Sequence, residues 1–274
     1  MMPHLWPRPA AVVTPPVELG LRRVGVVDAH LTAWSAPYQL VTTTPIAKGS
    51  LMSTAVQRRC PPVPHILVMA KAPVAGRVKT RLCPPYTYAE AAALAEAALS
   101  DTLEAVLACG AGRRVLALDG APGPWLPSGF EVVAQCRGSL NRRLAHAWAT
   151  AGGPGVQIGM DTPQVTAADL DFALGALDTS DAALGHAADG GWWAIGLRHP
   201  DPAVFHGLPM STARTGRAQE ARLRRLGLDV ALLPTLVDLD TADALGDVVA
   251  AGPGTRTARL AHELGVGTPL GRVA

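Results

Sequence analysis

From His65 onward, apolar and polar positions alternate in blocks that read as strands and helices by turns. "ILVMA" (66–70) is a continuous apolar run bounded by polar residues, as expected of a strand buried on both faces. "TYAEAAALAEAALSDTLEAVLACG" reads as a long helix, with Thr87 and Glu90 at capping-box spacing and Gly110 as its stop. "RVLALD" (114–119), "FEVVAQ" (130–135) and "VQIGM" (156–160) read as strands, and a helix starts near Ser139. Another helix is capped by Thr166. "AALGHAA" and "WWAIGL" flank "DGG" (189–191), the signature of a hairpin or tight turn. A basic helix over about 213–227, the strand "DVALLP" and helices after Thr241 and Thr255 complete the pattern. Strands alternating with helices of this length predict an α/β fold, a mostly parallel sheet with helices on both faces. No internal repeat appears.

Residues 1–60 differ. They hold prolines, scattered threonines and a short apolar patch (Val24–Val27) with no sustained helical or strand period, so they are expected to form an N-terminal extension of low intrinsic order. The folded domain is expected over 61–274. Met52 stands just ahead of the first strand like a natural start, and residues 1–51 are expected to be dispensable.

Composition narrows the class. At 274 residues, 49% hydrophobic and 17% charged, the chain suits one globular enzyme domain with a tail. A net charge of +2 is too small to argue for nucleic acid or a membrane as partner. No stretch approaches the roughly 18 apolar residues of a membrane helix, and no signal peptide is evident. The four cysteines form no C-x-x-C pair, and the eight histidines fall in no zinc-like spacing. A cytoplasmic location is the expectation.

The basic signal is local. "KAPVAGRVKTR" (71–81) holds Lys71, Arg77, Lys79 and Arg81 with no acid between Asp28 and Glu90. Ligands of open α/β sheets bind at the carboxyl ends of strands, where both this loop and Asp161 would emerge. Cations, backbone N–H groups and the freedom of Gly76 suit phosphates. A carboxylate beside them makes sense if a divalent metal bridges it to those phosphates. A P-loop is disfavoured, because Val78 stands where that motif needs glycine. A solvated basic loop remains the bland alternative. Asp161 could equally be an ordinary strand-end acid, Asp189 a turn former, and Asp238 and Asp240 acids favoured by the dipole of the next helix. Trp192 and Trp193 could be core, or one could line a pocket for a sugar or base.

In order, "MAKAPVAGRVKTRL", "IGMDTPQVTAADL", "AADGGWWAIGL" and "VDLDTADAL" resemble the hallmarks of the rSAM/selenodomain-associated transferases. These are GT-A-type nucleotide-diphospho-sugar transferase-like proteins, often named as glycosyltransferases of arsenosugar biosynthesis. The resemblance covers about residues 65–265. It implies a Rossmann-like GT-A sheet and a nucleotide bound over Ala70, Lys71, Gly76, Lys79 and Arg81, with Arg77 and Asn141 beside them. It also implies Mg²⁺ or Mn²⁺ on Asp161, with Asp240 as a second ligand, and Asp189 orienting the acceptor or acting as base. The helix head reads "LNRRL", with Asn141 and Arg142 where the family carries Gly-Glu, a change that bears on base or acceptor preference. The expected activity is glycosyl transfer from a nucleoside-diphosphate sugar to a small-molecule acceptor. Nucleotidyl transfer with pyrophosphate release, or nucleotide binding without catalysis, are the alternatives. Removing Lys79 or Arg81 is expected to weaken nucleotide binding with little loss of fold.

Overall fold

The computed structural model describes residues 63–265; the expectations for residues 1–60 lie outside the described residues. Seven strands form one sheet: β1 (His65–Lys71), β2 (Arg113–Asp119), β3 (Glu131–Ala134), β4 (Gly155–Ile158), β5 (Ala182–Ala187), β6 (Trp192–Leu197) and β7 (Val230–Leu236). Their order is β3-β2-β1-β4-β6-β5-β7. All pairings are parallel except those of β6, which runs antiparallel to both β4 and β5. The expected hairpin is therefore real, but β6 inserts between β4 and β5 instead of extending the sheet.

Six helices cover the sheet: α1 (Tyr88–Ala108), α2 (Leu140–Ala151), α3 (Ala167–Ala176), α4 (Thr215–Arg225), α5 (Ala242–Ala251) and α6 (Arg256–Glu263). Both halves of the capping box at Thr87 and Glu90 are made, and a second joins Thr166 to Asp169. Each cap satisfies backbone N–H groups that the first helical turn leaves open. Leu99 and Leu103 of α1 and Leu170 of α3 pack on one face of the sheet with Ile66, Val68 and Leu116. Leu144 and Trp148 of α2 and Leu223 of α4 pack on the other with Leu67, Ile195 and Leu197. The back of α1 meets α5 and α6 through Leu94, Ala98, Leu245 and Ala258. There the buried Asp101 carboxylate accepts from the backbone N–H groups of Arg256 and Thr257 at 3.0 and 2.9 Å, capping α6 from outside its own sequence.

β1 sits between β2 and β4 with Ile66, Leu67 and Val68 fully buried, which is why that stretch reads as an unbroken apolar run. A central strand so enclosed fixes where its carboxyl end delivers the basic loop. Among the described residues no helix is long and apolar enough to cross a membrane.

His65 opens β1 fully buried, its ring edge-on to Trp148 with centroids 5.4 Å apart. Burial, with help from the Arg113 charge and against that of Glu131, pushes its pKa down to about 4. The folded protein thus keeps His65 neutral where the unfolded chain takes up a proton. Stability from this residue is complete above pH 6.5 and falls as the pH drops from 6.5 towards 4, by about 3 kcal/mol in total. Denaturant melts from pH 7.5 to 4.5 are expected to show that slope, and His65→Leu is expected to flatten it.

Candidate active site

The carboxyl ends of β1 and β4 open into a cavity of about 450 Å³. Ala72 N–H donates back to Asp119 and Arg77 N–H to the Val74 carbonyl, so the loop after β1 turns tightly, with Gly76 at φ +76°. Lys79 itself lies in the left-handed region (φ 49°, ψ 34°), uncommon for a residue with a Cβ. A 3-10 turn, Thr80–Leu82, follows and sinks the fully buried Leu82 into the core beside α1 and α5. The loop is anchored at both ends, although Lys71, Arg77 and Arg81 are themselves exposed.

The unusual backbone carries the Lys79 side chain inward, where it is 6% exposed. Its ammonium pairs with the Asp161 carboxylate and donates to the Leu239 carbonyl. Asp240 Oδ1 lies 3.5 Å away. Arg81, 65% exposed, reaches the other Asp240 oxygen at 3.1 Å. Leu239 N–H donates to the Asp161 carbonyl at 2.7 Å, so the segment after β7 is stitched to the end of β4 by main chain as well.

Asp189 arrives from the β5–β6 turn. Its Oδ1 accepts from Gly191 N–H at 2.6 Å, and Gly190 takes φ +90°. A Cβ on Gly190 would stand 2.2 Å from the Ala213 carbonyl oxygen, so glycine is required for the turn to pack on the segment before α4. Carboxylate oxygens of Asp189, Asp238 and Asp240 come within 4.8 Å of one another. Asp238 is raised to about 6, first by burial and then by the charges of Asp189 and Asp240, with Lys79 opposing. Three acids at that spacing present the hard oxygen donors that Mg²⁺ or Mn²⁺ takes, and a cation would relieve their repulsion. The residues fit such an ion.

Of the residues singled out in the sequence, Ala70, Lys71, Arg77, Lys79, Arg81, Asp161, Asp189 and Asp240 all line this cavity. Gly76 and Asn141 do not. Gly76 shapes the loop, and Asn141 donates to the Leu208 carbonyl at 3.0 Å, tying α2 to the segment before α4. Trp192 lines the cavity, while Trp193 is core and donates to the Pro234 carbonyl. Asp238 joins the carboxylates although its place ahead of a helix reads as a dipole effect. Gln135 and Arg143 were also missed. Gln135 Nε2 donates to the carbonyls of Ala70 and Ala117 at 2.9 and 2.8 Å, and its Oε1 accepts from Arg143 at 3.0 Å. That bridge braces the ends of β1 and β2 and aims a guanidinium at the cavity. The only sequence signal was a glutamine at a strand end and a doubled arginine in the first turn of the next helix.

Residues 93–212 match the family described as "Uncharacterized protein conserved in bacteria (DUF2064)". The chain is 34% identical over 217 residues to a 3-phospho-D-glycerate guanylyltransferase from Phenylobacterium zucineum (strain HLK1), covering 72% of this chain and 97% of that protein. It is also similar to a crystal structure described as a nucleotide-diphospho-sugar transferase from Desulfovibrio desulfuricans G20. The TM-score is 0.67 at 28% identity, over 73% of this chain and 94% of that one. The fold is the Rossmann-like nucleotidyltransferase or GT-A fold. Neither relative's description carries the arsenosugar association that the motifs suggested.

The buried pairing of Lys79 changes what its loss should do. Lys79→Met strips a nearly enclosed cation from Asp161 and leaves a carbonyl unpaired, and is expected to destabilise by about 1–3 kcal/mol. Arg81→Ala, at the exposed rim, is expected to cost under about 1 kcal/mol. Chemical denaturation of the two variants checks this: equal stabilities would mean Lys79 does not hold these segments together.

Proposed function

The chain belongs to the protein family of the Phenylobacterium guanylyltransferase, and from that premise we propose that it is a metal-dependent nucleotidyltransferase passing a guanylyl group from GTP to a small phosphorylated acid. It is a transferase, as its relatives are. The glycosyl transfer expected from the motifs gives way to the alternative, because the relative matched over almost its whole length moves a nucleotidyl group.

The observation that carries the reading is the meeting, across one cavity, of the cations Lys79 and Arg81 with the carboxylates Asp161, Asp189, Asp238 and Asp240. An oxygen of the acceptor would attack the α-phosphorus of the nucleotide; the new P–O bond forms as the bond to the bridging β-oxygen breaks and pyrophosphate leaves. Negative charge grows on the departing group. Lys71, Arg77, Lys79 and Arg81 surround the place where it would sit, and such preset charges favour the transition state over the ground state. Asp189, Asp238 and Asp240 would hold Mg²⁺ or Mn²⁺, which when bound supplies charge neutralisation and alignment of the phosphates. Asp161 is proposed first as the group that places Lys79, and as a further ligand if that ammonium turns to phosphate. Ala70 would offer main chain to the nucleotide, Gly76 would act only through the shape of the loop, and Gln135 would set Arg143 beside it. Asn141 would act at one remove, through the segment before α4.

A phosphorylated acid brings an oxygen that is already ionised near neutral pH. No general base is then required, and Asp189 serves to bind the ion and orient the acceptor.

The test is product identity. With GTP, Mg²⁺ and 3-phospho-D-glycerate, the protein is expected to release pyrophosphate in step with a guanylylated acid. Turnover of a nucleotide sugar to nucleoside diphosphate, with no pyrophosphate from any nucleoside triphosphate, would restore the glycosyltransferase reading.

A further inference from the structure

Gln157 is the odd residue of its layer. On β4 it pairs with Leu67 of β1 and Ile195 of β6, both fully buried members of one apolar cluster. Packing alone would favour a leucine there. Gln157 is 1% exposed, lines the cavity together with Leu144 and Met210, and its Oε1 has no hydrogen-bond partner among the described residues. A buried amide oxygen left in that condition is costly, so the position gains from a donor that arrives with a ligand.

The layout of the sheet says which ligand. The phosphate-binding cations leave β1 and divide the cavity into two flanks. On the β2–β3 flank, Gln135 is committed to two carbonyls and Arg143. On the other flank stand Gln157 of β4, Trp192 of β6 and Thr215 of α4. The carboxylates Asp161 and Asp189 leave this flank too, from the end of β4 and the turn before β6. A group attacking phosphorus over those carboxylates approaches from their side, so the β4–β6 flank takes the acceptor and the β2–β3 flank the nucleoside. Phosphate and carboxylate oxygens are acceptors only at neutral pH. Of the groups such an acceptor carries, the one that can donate to the Gln157 oxygen is an O–H.

We propose that Gln157 determines acceptor specificity by accepting a hydrogen bond from a free hydroxyl of the acceptor. The hydroxyl is a recognition group, separate from the oxygen that attacks. The proposal rests on the nucleotidyl-transfer reading and deepens it.

The experiment compares the full chain with Gln157→Leu and Gln157→Met, the second keeping a flexible chain of similar length. Three quantities are read: thermal stability without ligand, affinity for GDP with Mg²⁺, and KM for 3-phospho-D-glycerate with GTP. The expected result is a melting temperature raised by the change, GDP affinity within about twofold, and acceptor KM raised about tenfold, the loss of one hydrogen bond of ordinary strength. The same acid lacking its hydroxyl, 3-phosphonooxypropanoate, is expected to compete equally well against all three proteins. A KM for 3-phospho-D-glycerate unchanged within twofold would mean that the amide meets only water, and would overturn the proposal. A fall in GDP affinity with acceptor KM unchanged would put Gln157 on the nucleoside and overturn it as well. Absence of pyrophosphate from the unmutated chain with any small hydroxy acid would instead defeat the transfer reading itself, and the proposal with it.

Discussion

One nearly buried ammonium holds the candidate site together. Lys79 joins the loop after β1, the end of β4 through Asp161, and the segment after β7 through Leu239 and Asp240. These segments are far apart in sequence and come from strands that do not all touch. Without a cation between them, the acids would repel one another and the end of the sheet would spread. Breaking an enclosed pair leaves the partner charge uncompensated, which is why the arrangement depends on this contact more than on the rim pair of Arg81 and Asp240. The left-handed backbone at Lys79 and the buried Leu82 three residues further on are what aim it.

The same contact explains how a small set of charges can serve phosphates and a metal together. Asp240 is shared between Lys79, Arg81 and the Asp189–Asp238 pair. Its position couples the cationic half of the cavity to the acidic half. The sheet order adds the other constraint. Inserting β6 antiparallel between β4 and β5 brings the DGG turn to the same end of the sheet as the loop after β1, and so brings Asp189 to the cavity.

Much of the fold was legible because its signals are local. The enclosed β1, the capping boxes at Thr87 and Thr166, the Ser139 cap and the tight glycine turn all follow from residues within a few positions of one another. The insertion of β6 was not legible, since strand order depends on contacts across long separations. The site divides the same way. Lys79, Arg81, Asp161, Asp189 and Asp240 stood out by charge in short motifs. Asp238 did not, because an acid ahead of a helix is ordinary and only burial beside Asp189 marks it out. Gln135 and Gln157 were invisible: which way a strand glutamine faces, and whether its amide finds a partner, is decided by neighbours on other strands.

The central claim is that nucleotide phosphates bind where the cationic loop meets a carboxylate-held divalent ion. Calorimetric titration of GDP into the full chain, with Mn²⁺ and then with a chelator, tests it most directly when repeated on Asp240→Asn. The account predicts that chelation weakens GDP binding to the unmutated protein by about tenfold or more, and that Asp240→Asn loses most of that dependence while still melting cooperatively. GDP binding that is equally tight with Mn²⁺ and with chelator would contradict it.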